Sequence, residues 1–308
     1  MKTSLLALLA VGLVALPATL AEAGDGVGSL KLMPKDTNIA FNLNIKRLRS
    51  GKAYDEIIDQ ARMNGDFKET EAALKKAGVN LKKDVDTITL GVRADGKGEP
   101  AGLVVIGKGR FKQGKIVAAM KAENADLKKK RHKGVTYYVF GKDGAFAFVG
   151  KDMVMAEGDQ IKGVIDRYKS KGRKSAAKSK LMKGMLSRTD TKKDLWFVAE
   201  VKKNSAAGVP MADKLRSVVG SFDMVGGLGI RVRVRFSDAK TPKELVDQFT
   251  AFRPMAAEMP EIKKMGLDTV VNKAVLVADE KDVVFKVDLT PDEAAKLRGL
   301  AESMGGAM

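Results

Sequence analysis

Cysteine is absent from this sequence, and histidine and tryptophan occur once each. Without thiols there are no disulfides, no thiolate metal ligands and no lipid attachment at a lipobox cysteine. The single histidine, His132, excludes zinc sites built on two imidazoles, and it leaves a serine–histidine–carboxylate triad only one possible base. After the first two dozen residues, no apolar run approaches the ~20 residues that a membrane-spanning helix needs.

What the chain does carry is a leader. Lys2 precedes an apolar run from Leu5 to Leu16, Pro17 interrupts it, and Ala21-Glu22-Ala23 supplies an A-x-A cleavage pattern. The run has the length of a secretory h-region and is short for a membrane span. Residues 1–23 are therefore predicted to be a signal peptide cleaved after Ala23, which places the mature chain in the periplasm or outside the cell. The 44% hydrophobic content is that of a globular protein despite 31% charged residues, so the sequence has enough apolar material for one large or two medium cores. The formal net charge is +18. An excess of that size draws a protein toward lipid headgroups, cell-wall polymers or nucleic acid, and it also serves simply to keep a surface solvated.

Periodicity divides the remainder into two halves. Ile39, Phe41, Leu43 and Ile45 alternate with polar residues as a half-buried strand. Ala53 to Ala77 has helical spacing with a turn near Asn64-Gly65, and Gly78 ends it. Strands are expected at Asp86 to Val92 and Gly102 to Gly107, joined through Asp95-Gly96-Lys97-Gly98, then a helix at Lys112 to Ala122. A further hairpin spans Val135 to Phe140 and Gly144 to Ala156, followed by a helix at Asp159 to Tyr168. Residues 171–193, rich in Lys, Arg, Ser and Ala, are read as a basic connector. The second half repeats the order: a strand at Leu195 to Val201, a helix at Met211 to Val219, and a strand pair from Phe222 to Phe236 bent at Gly226-Gly227. A helix follows from a Thr241-Pro242-Lys243-Glu244 capping box to a stop at Pro254. Strands are then expected at Thr269 to Ala278 and Asp282 to Leu289, with a helix capped by Thr290-Pro291-Asp292-Glu293. This pattern predicts an α+β protein of two similar halves, residues 30–170 and 194–304, each a ferredoxin-like split βαβ variant with helices on one face of an antiparallel sheet. The opening Leu32-Met33-Pro34-Lys35-Asp36-Thr37, running into a strand just after a leader, resembles the start of some uncharacterised exported bacterial families with duplicated α+β domains; that resemblance implies no activity.

Several motifs approach catalytic patterns and fall short. Gly109-Arg110-Phe111-Lys112-Gln113-Gly114-Lys115 has P-loop spacing, but Ile116 replaces the magnesium-binding Ser or Thr. Gly107-Lys108-Gly109 starts a dinucleotide fingerprint whose third glycine is Lys112. Ser175-Ala176-Ala177-Lys178 matches S-x-x-K without the partner elements that chemistry requires. Met153, Met155, Met182, Met185, Met255 and Met259 are read as core fillers, since no His or Cys accompanies them as metal ligands. The most pointed feature is Ile230-Arg231-Val232-Arg233-Val234-Arg235-Phe236, which as a strand places three guanidinium groups on one face at ~7 Å intervals. Together with Lys128, Lys129, Lys130 and Arg131, Arg231, Arg233 and Arg235 form the candidate polyanion site, unless cross-strand carboxylates neutralise them. The sequence thus predicts a non-enzymatic binding or structural protein of the cell envelope or extracellular space, with no cofactor or metal. Its alternatives are a binder of anionic envelope polymers or a membrane surface, and a hydrolase with an unidentified carboxylate pair.

Overall fold

The computed structural model describes residues 26–51, 53–63, 65–95, 100–123, 126–202, 211–264 and 266–297. The predicted leader, residues 1–23, and most of the Asp95-to-Gly98 connection lie outside them.

Twelve strands form one sheet in which every neighbouring pair is antiparallel. In chain order they are β1 (Ile39–Leu43), β2 (Val85–Ala94), β3 (Pro100–Gly109), β4 (Lys128–His132), β5 (Val135–Phe140), β6 (Gly144–Val149), β7 (Asp152–Glu157), β8 (Leu195–Glu200), β9 (Leu215–Asp223), β10 (Leu228–Phe236), β11 (Val275–Asp279) and β12 (Asp282–Leu289). Across the sheet the order is β11-β12-β10-β9-β8-β1-β2-β3-β7-β6-β5-β4. β1 and β8 lie at the centre, and from them the two halves run alike: β1-β2-β3-β7-β6 in one direction and β8-β9-β10-β12-β11 in the other. The split βαβ order expected from sequence differs from this one, because it needs parallel neighbours joined by crossovers and none is present among the described residues.

Helices cover both faces, where the sequence pattern had placed them on one. Over the first face lie α2 (Ile45–Leu48), α3 (Ala53–Met63), α4 (Gly65–Lys76), α5 (Leu81–Asp84), α6 (Gln113–Glu123), α9 (Lys240–Glu258) and α11 (Asp268–Lys273), with a helical stretch at 291–297. Over the second lie α1 (Gly26–Ser29), α7 (Gln160–Lys169) and α8 (Lys180–Leu186). Strand alternation divides the core in two. Ile88, Leu90, Val105, Phe146 and Met155 point to the first face, while Val104, Ile106, Val154, Trp196 and Val198 point to the second. A sheet covered on both sides explains why the middle of β3, Leu103-Val104-Val105-Ile106, reads as a continuous apolar run.

Several segments differ from expectation for identifiable reasons. The predicted helix at Met211 to Val219 is a short 3-10 turn at Ala212–Lys214 followed by β9. Pairing on both sides, with β8 and β10, overrides the helical spacing. The predicted strand from Thr269 holds α11 first, and only Val275–Asp279 is extended. The basic connector folds as well: Met182 and Met185 of α8 are fully sealed, so the segment packs on the second face through two residues three apart. α9 begins at Lys240 after the N-cap residue Ala239, and the preceding Asp238 serves its first amides, its Oδ1 accepting hydrogen bonds from Lys240 and Thr241. The helix continues past Pro254 to Glu258 because Ala256 and Ala257 are buried beneath it. The Thr290/Glu293 box does form, with the Thr290 amide donating to Glu293 Oε2 at 2.8 Å and the Glu293 amide to Thr290 Oγ1 at 3.4 Å.

The turn between β9 and β10 depends on one glycine. Gly227 has φ +133°, and a Cβ there would lie 2.2 Å from the Leu289 carbonyl oxygen. That backbone region is essentially closed to other residues. Gly227→Ala is expected to cost about 2–4 kcal/mol in urea denaturation, combining strain with overlap against backbone; an unchanged midpoint would contradict this turn.

Candidate ligand-binding cleft

The predicted site residues are real surface features, but they do not meet. β10 and β4 are nine positions apart in the sheet, about 43 Å at ~4.8 Å per strand, so the arginine stripe and the lysine run are separate. The stripe has the predicted alternation: Ile230 packs on the first-face core, Phe236 is buried, and Arg231, Arg233 and Arg235 project from the second face. Their partners come from the neighbouring hairpin. Arg231 pairs with Asp288 at 2.7 Å, Arg233 with Asp279 at 2.6 Å, and Arg235 with Asp282 at 2.7 Å. The Asp282 side chain is 2% exposed and also meets Arg188 at 3.2 Å and Arg233 at 3.8 Å, while the other arm of Arg188 donates to Ser217 Oγ. Removing a sealed carboxylate that three guanidinium groups share leaves like charges crowded together. Asp282→Ala is expected to lose about 3–5 kcal/mol of stability on chemical denaturation; a loss under ~1 kcal/mol would mean that the pairs are fully screened.

Lys128, Lys129, Lys130 and Arg131 form β4, an end strand with all four side chains exposed. Lysines on an edge strand oppose pairing with another sheet. His132 is not surrounded by positive charge alone: its Nε2 lies 2.8 Å from Asp166 Oδ1, which Lys133 also meets at 2.7 Å. The hydrogen bond from Lys133, helped by His132, holds the Asp166 carboxyl below its usual range despite its partial burial.

The catalytic look-alikes are structural. Ser175 is sealed and its hydroxyl donates to the Gly172 carbonyl at 2.7 Å, while Lys178 lies outside the core. Gly109 sits where a Cβ would meet the Asp84 carbonyl oxygen at 2.0 Å, so the P-loop-like segment is a strand-to-helix turn pressed against α5. Of the six methionines read as core, Met155, Met182 and Met185 are buried and Met153 is partly so, but Met255 and Met259 are exposed on and just after α9. Among the described residues, no group of three or more His, Cys, Asp or Glu is arranged to hold a metal ion.

One buried carboxylate is perturbed. Burial pushes Asp194 up to about 6, against the Met224 amide and Arg47, which favour its charged form. Arg47 Nε lies 3.0 Å from Asp194 and its Nη2 2.9 Å from Asp223, which Lys193 also reaches. For Asp223, burial is outweighed by Lys193 and Arg47, and its carboxyl stays below the usual range. This cluster ties α2, the connector and β9 together. Asp194 takes up its proton at higher pH in the folded than in the unfolded chain, where the value is about 3.9. Its destabilising charge is therefore fully present at neutral pH and is relieved as pH falls from about 6 to about 4. Stability relative to Asp194→Asn is expected to improve by about 2–3 kcal/mol across that window. Denaturation at several pH values checks it, and parallel curves for the two proteins would refute it.

The cavity lies elsewhere, on the first face between α4 and α6. Ile88 of β2, Val105 of β3 and Met155 of β7 make its floor; Leu74 and Ala77 form one wall, and Ile116, Ala119 and Met120 the other. The Phe111 ring lies over Gly107, where a Cβ would come within 3.3 Å of it. Gly78, at φ +71°, turns the chain sharply after α4 so that Val79 and Leu81 complete the lining. The empty space totals about 770 Å³ with its open mouth counted. It forms an apolar slot. Glu123 is the one titratable side chain among its lining residues, and it lies at the rim, 3.4 Å from Lys76. Apart from Glu123 at the rim, the lining side chains give water nothing to bond to.

Solved structures resemble the whole of this arrangement only distantly. Crystal form I of TP0453 aligns over 88% of this chain and 96% of its own at 10% identity, with a TM-score of 0.46. Crystal form III aligns over 88% and 97% at 9% identity, with a TM-score of 0.47. No protein-family model matches the sequence, and no curated protein matches it.

Sequence reading gave Ala53 to Ala77 helical spacing but did not foresee the slot. Its one advance signal is the set of small residues, Ala73 on α4, Ala77 just after it and Ala119 on α6, which leaves space that larger side chains would fill.

Proposed function

We propose that this chain is an exported, non-catalytic binding protein of the cell envelope or extracellular space, and that it holds an apolar ligand in the slot between α4 and α6. The wall chemistry carries this reading: a ligand there exchanges water for aliphatic and aromatic side chains, and no nucleophile, carboxylate pair or metal-binding group faces it. The N-terminal leader with its A-x-A pattern supports export. The matching strand orders on either side of the β1–β8 junction support an origin by duplication of one α+β unit, with the ligand slot present in the first half.

The test uses an uncharged chain. Dodecanol is expected to bind one site per protein by calorimetry. Ala119→Phe, which fills the slot, is expected to weaken binding roughly 15-fold to 60-fold by displacing two or three methylenes, while costing about 1–3 kcal/mol in stability. Absence of dodecanol binding, or full affinity in a folded Ala119→Phe protein, would overturn the proposal.

A further inference from the structure

We infer that the ligand of this slot is a single-chain anionic amphiphile, its alkyl tail between α4 and α6 and its anionic head among the lysines that flank the α6 wall. This rests on the slot being the binding site.

The tail follows from the lining and the volume. Leu74, Ile88, Val105, Ile116, Met120 and Met155 offer an aliphatic surface, and about 770 Å³ with the open mouth counted limits the occupant to small-molecule size. A single alkyl chain meets both conditions.

The head follows from charge. Residues 73–85 and 111–123, which frame the slot, contain seven lysines and two carboxylates. Both carboxylates are engaged: Asp84 Oδ2 accepts from the Asn80 amide at 2.9 Å, and Glu123 meets Lys76. Lys76 ends α4 at the rim and is 73% exposed. Lys115 lays its aliphatic stem along the Gly78 turn, 3.1 Å from where a Cβ would stand, and its ammonium extends to solvent. Lys112 precedes α6 by one residue and lies on the helical row of Ile116, Ala119 and Glu123, so it stands at the opposite end of the same wall. An anionic head therefore finds ammonium groups within reach at either end of the slot, whereas a cationic head is repelled.

Calorimetry at low ionic strength, below micelle concentrations, separates head from tail. Dodecanoate and dodecyl phosphate are expected to bind roughly fivefold to tenfold tighter than dodecanol, with dodecyltrimethylammonium weakest and the differences shrinking as salt is raised. A preference between the two anions would assign the head as carboxylate or phosphate. Lys112→Glu/Lys115→Glu is expected to abolish the anion preference, read as the ratio of dodecanoate to dodecanol affinity within the same variant. Lys243→Glu/Lys264→Glu, which makes the same change in net charge on α9 and α10 (Pro260–Lys264), is expected to keep the preference. Equal, salt-independent binding of dodecanol and dodecanoate would overturn the head assignment while leaving the apolar slot as the site. Equal loss in both double variants would overturn it too, reducing the preference to net charge. If none of the four compounds bound, the slot itself would fall as the site.

Discussion

Five residues join the two sides of this twelve-stranded sheet. β1 pairs along its whole length with β2 on one side and β8 on the other, so Ile39–Leu43 contributes to both halves at once. Polar side chains extend that seam beyond the strand. Asn38 exchanges two hydrogen bonds with the Ala94 backbone, at 3.1 and 2.9 Å, and its carbonyl accepts from the Glu200 amide. At the other end the Asn44 amide donates to the Asp194 carbonyl, and Arg47 binds the Asp194 and Asp223 carboxylates. A buried charge is costly, and its placement here is intelligible because it fixes the corner where the connector delivers β8 to β1. If that register slipped by one residue, Asn42 and Trp196 would exchange faces with Phe41 and Phe197, and both cores would be disrupted.

From this seam the division of labour between the faces follows. On the second face the sheet is sealed by short helices and by residues such as Met33, Trp196 and Met182, all fully buried. On the first face longer helices stand over β2, β3 and β7, and small side chains at their contact leave the slot. The charged residues are distributed to match. The arginines of β10 are largely neutralised by the β11–β12 hairpin, the lysines of β4 guard an end, and the lysines around α4 and α6 outnumber the carboxylates near them. A net charge of +18 is thus not one basic surface but several patches with different local balance.

The sequence made much of the scaffold legible. Alternation located β1 and β10, helical spacing located α3, α4, α6 and α7, and the Thr290/Glu293 pair located the last helix start. Misreadings occurred where tertiary contacts outweighed local pattern. Val218 and Val219 sit in a helix-like sequence that two flanking strands hold extended, and Met182 and Met185 were obscured by the lysines between and around them. The arginine stripe was visible by its alternation, but its partners Asp279, Asp282 and Asp288 become apparent only when the β10–β12 register is known. The slot was harder still, because its lining comes from segments between residues 73 and 155 that no linear pattern brings together.

The two ends of the sheet are not equivalent. β4 presents four exposed basic side chains, whereas β11 presents Val275 and Val277, each more than 40% exposed. Fibrous growth by strand addition requires an adhesive margin at both extremities, as a brick needs mortar above and below. Here only the valine margin can accept a neighbour, so stacking through strand margins halts at two molecules.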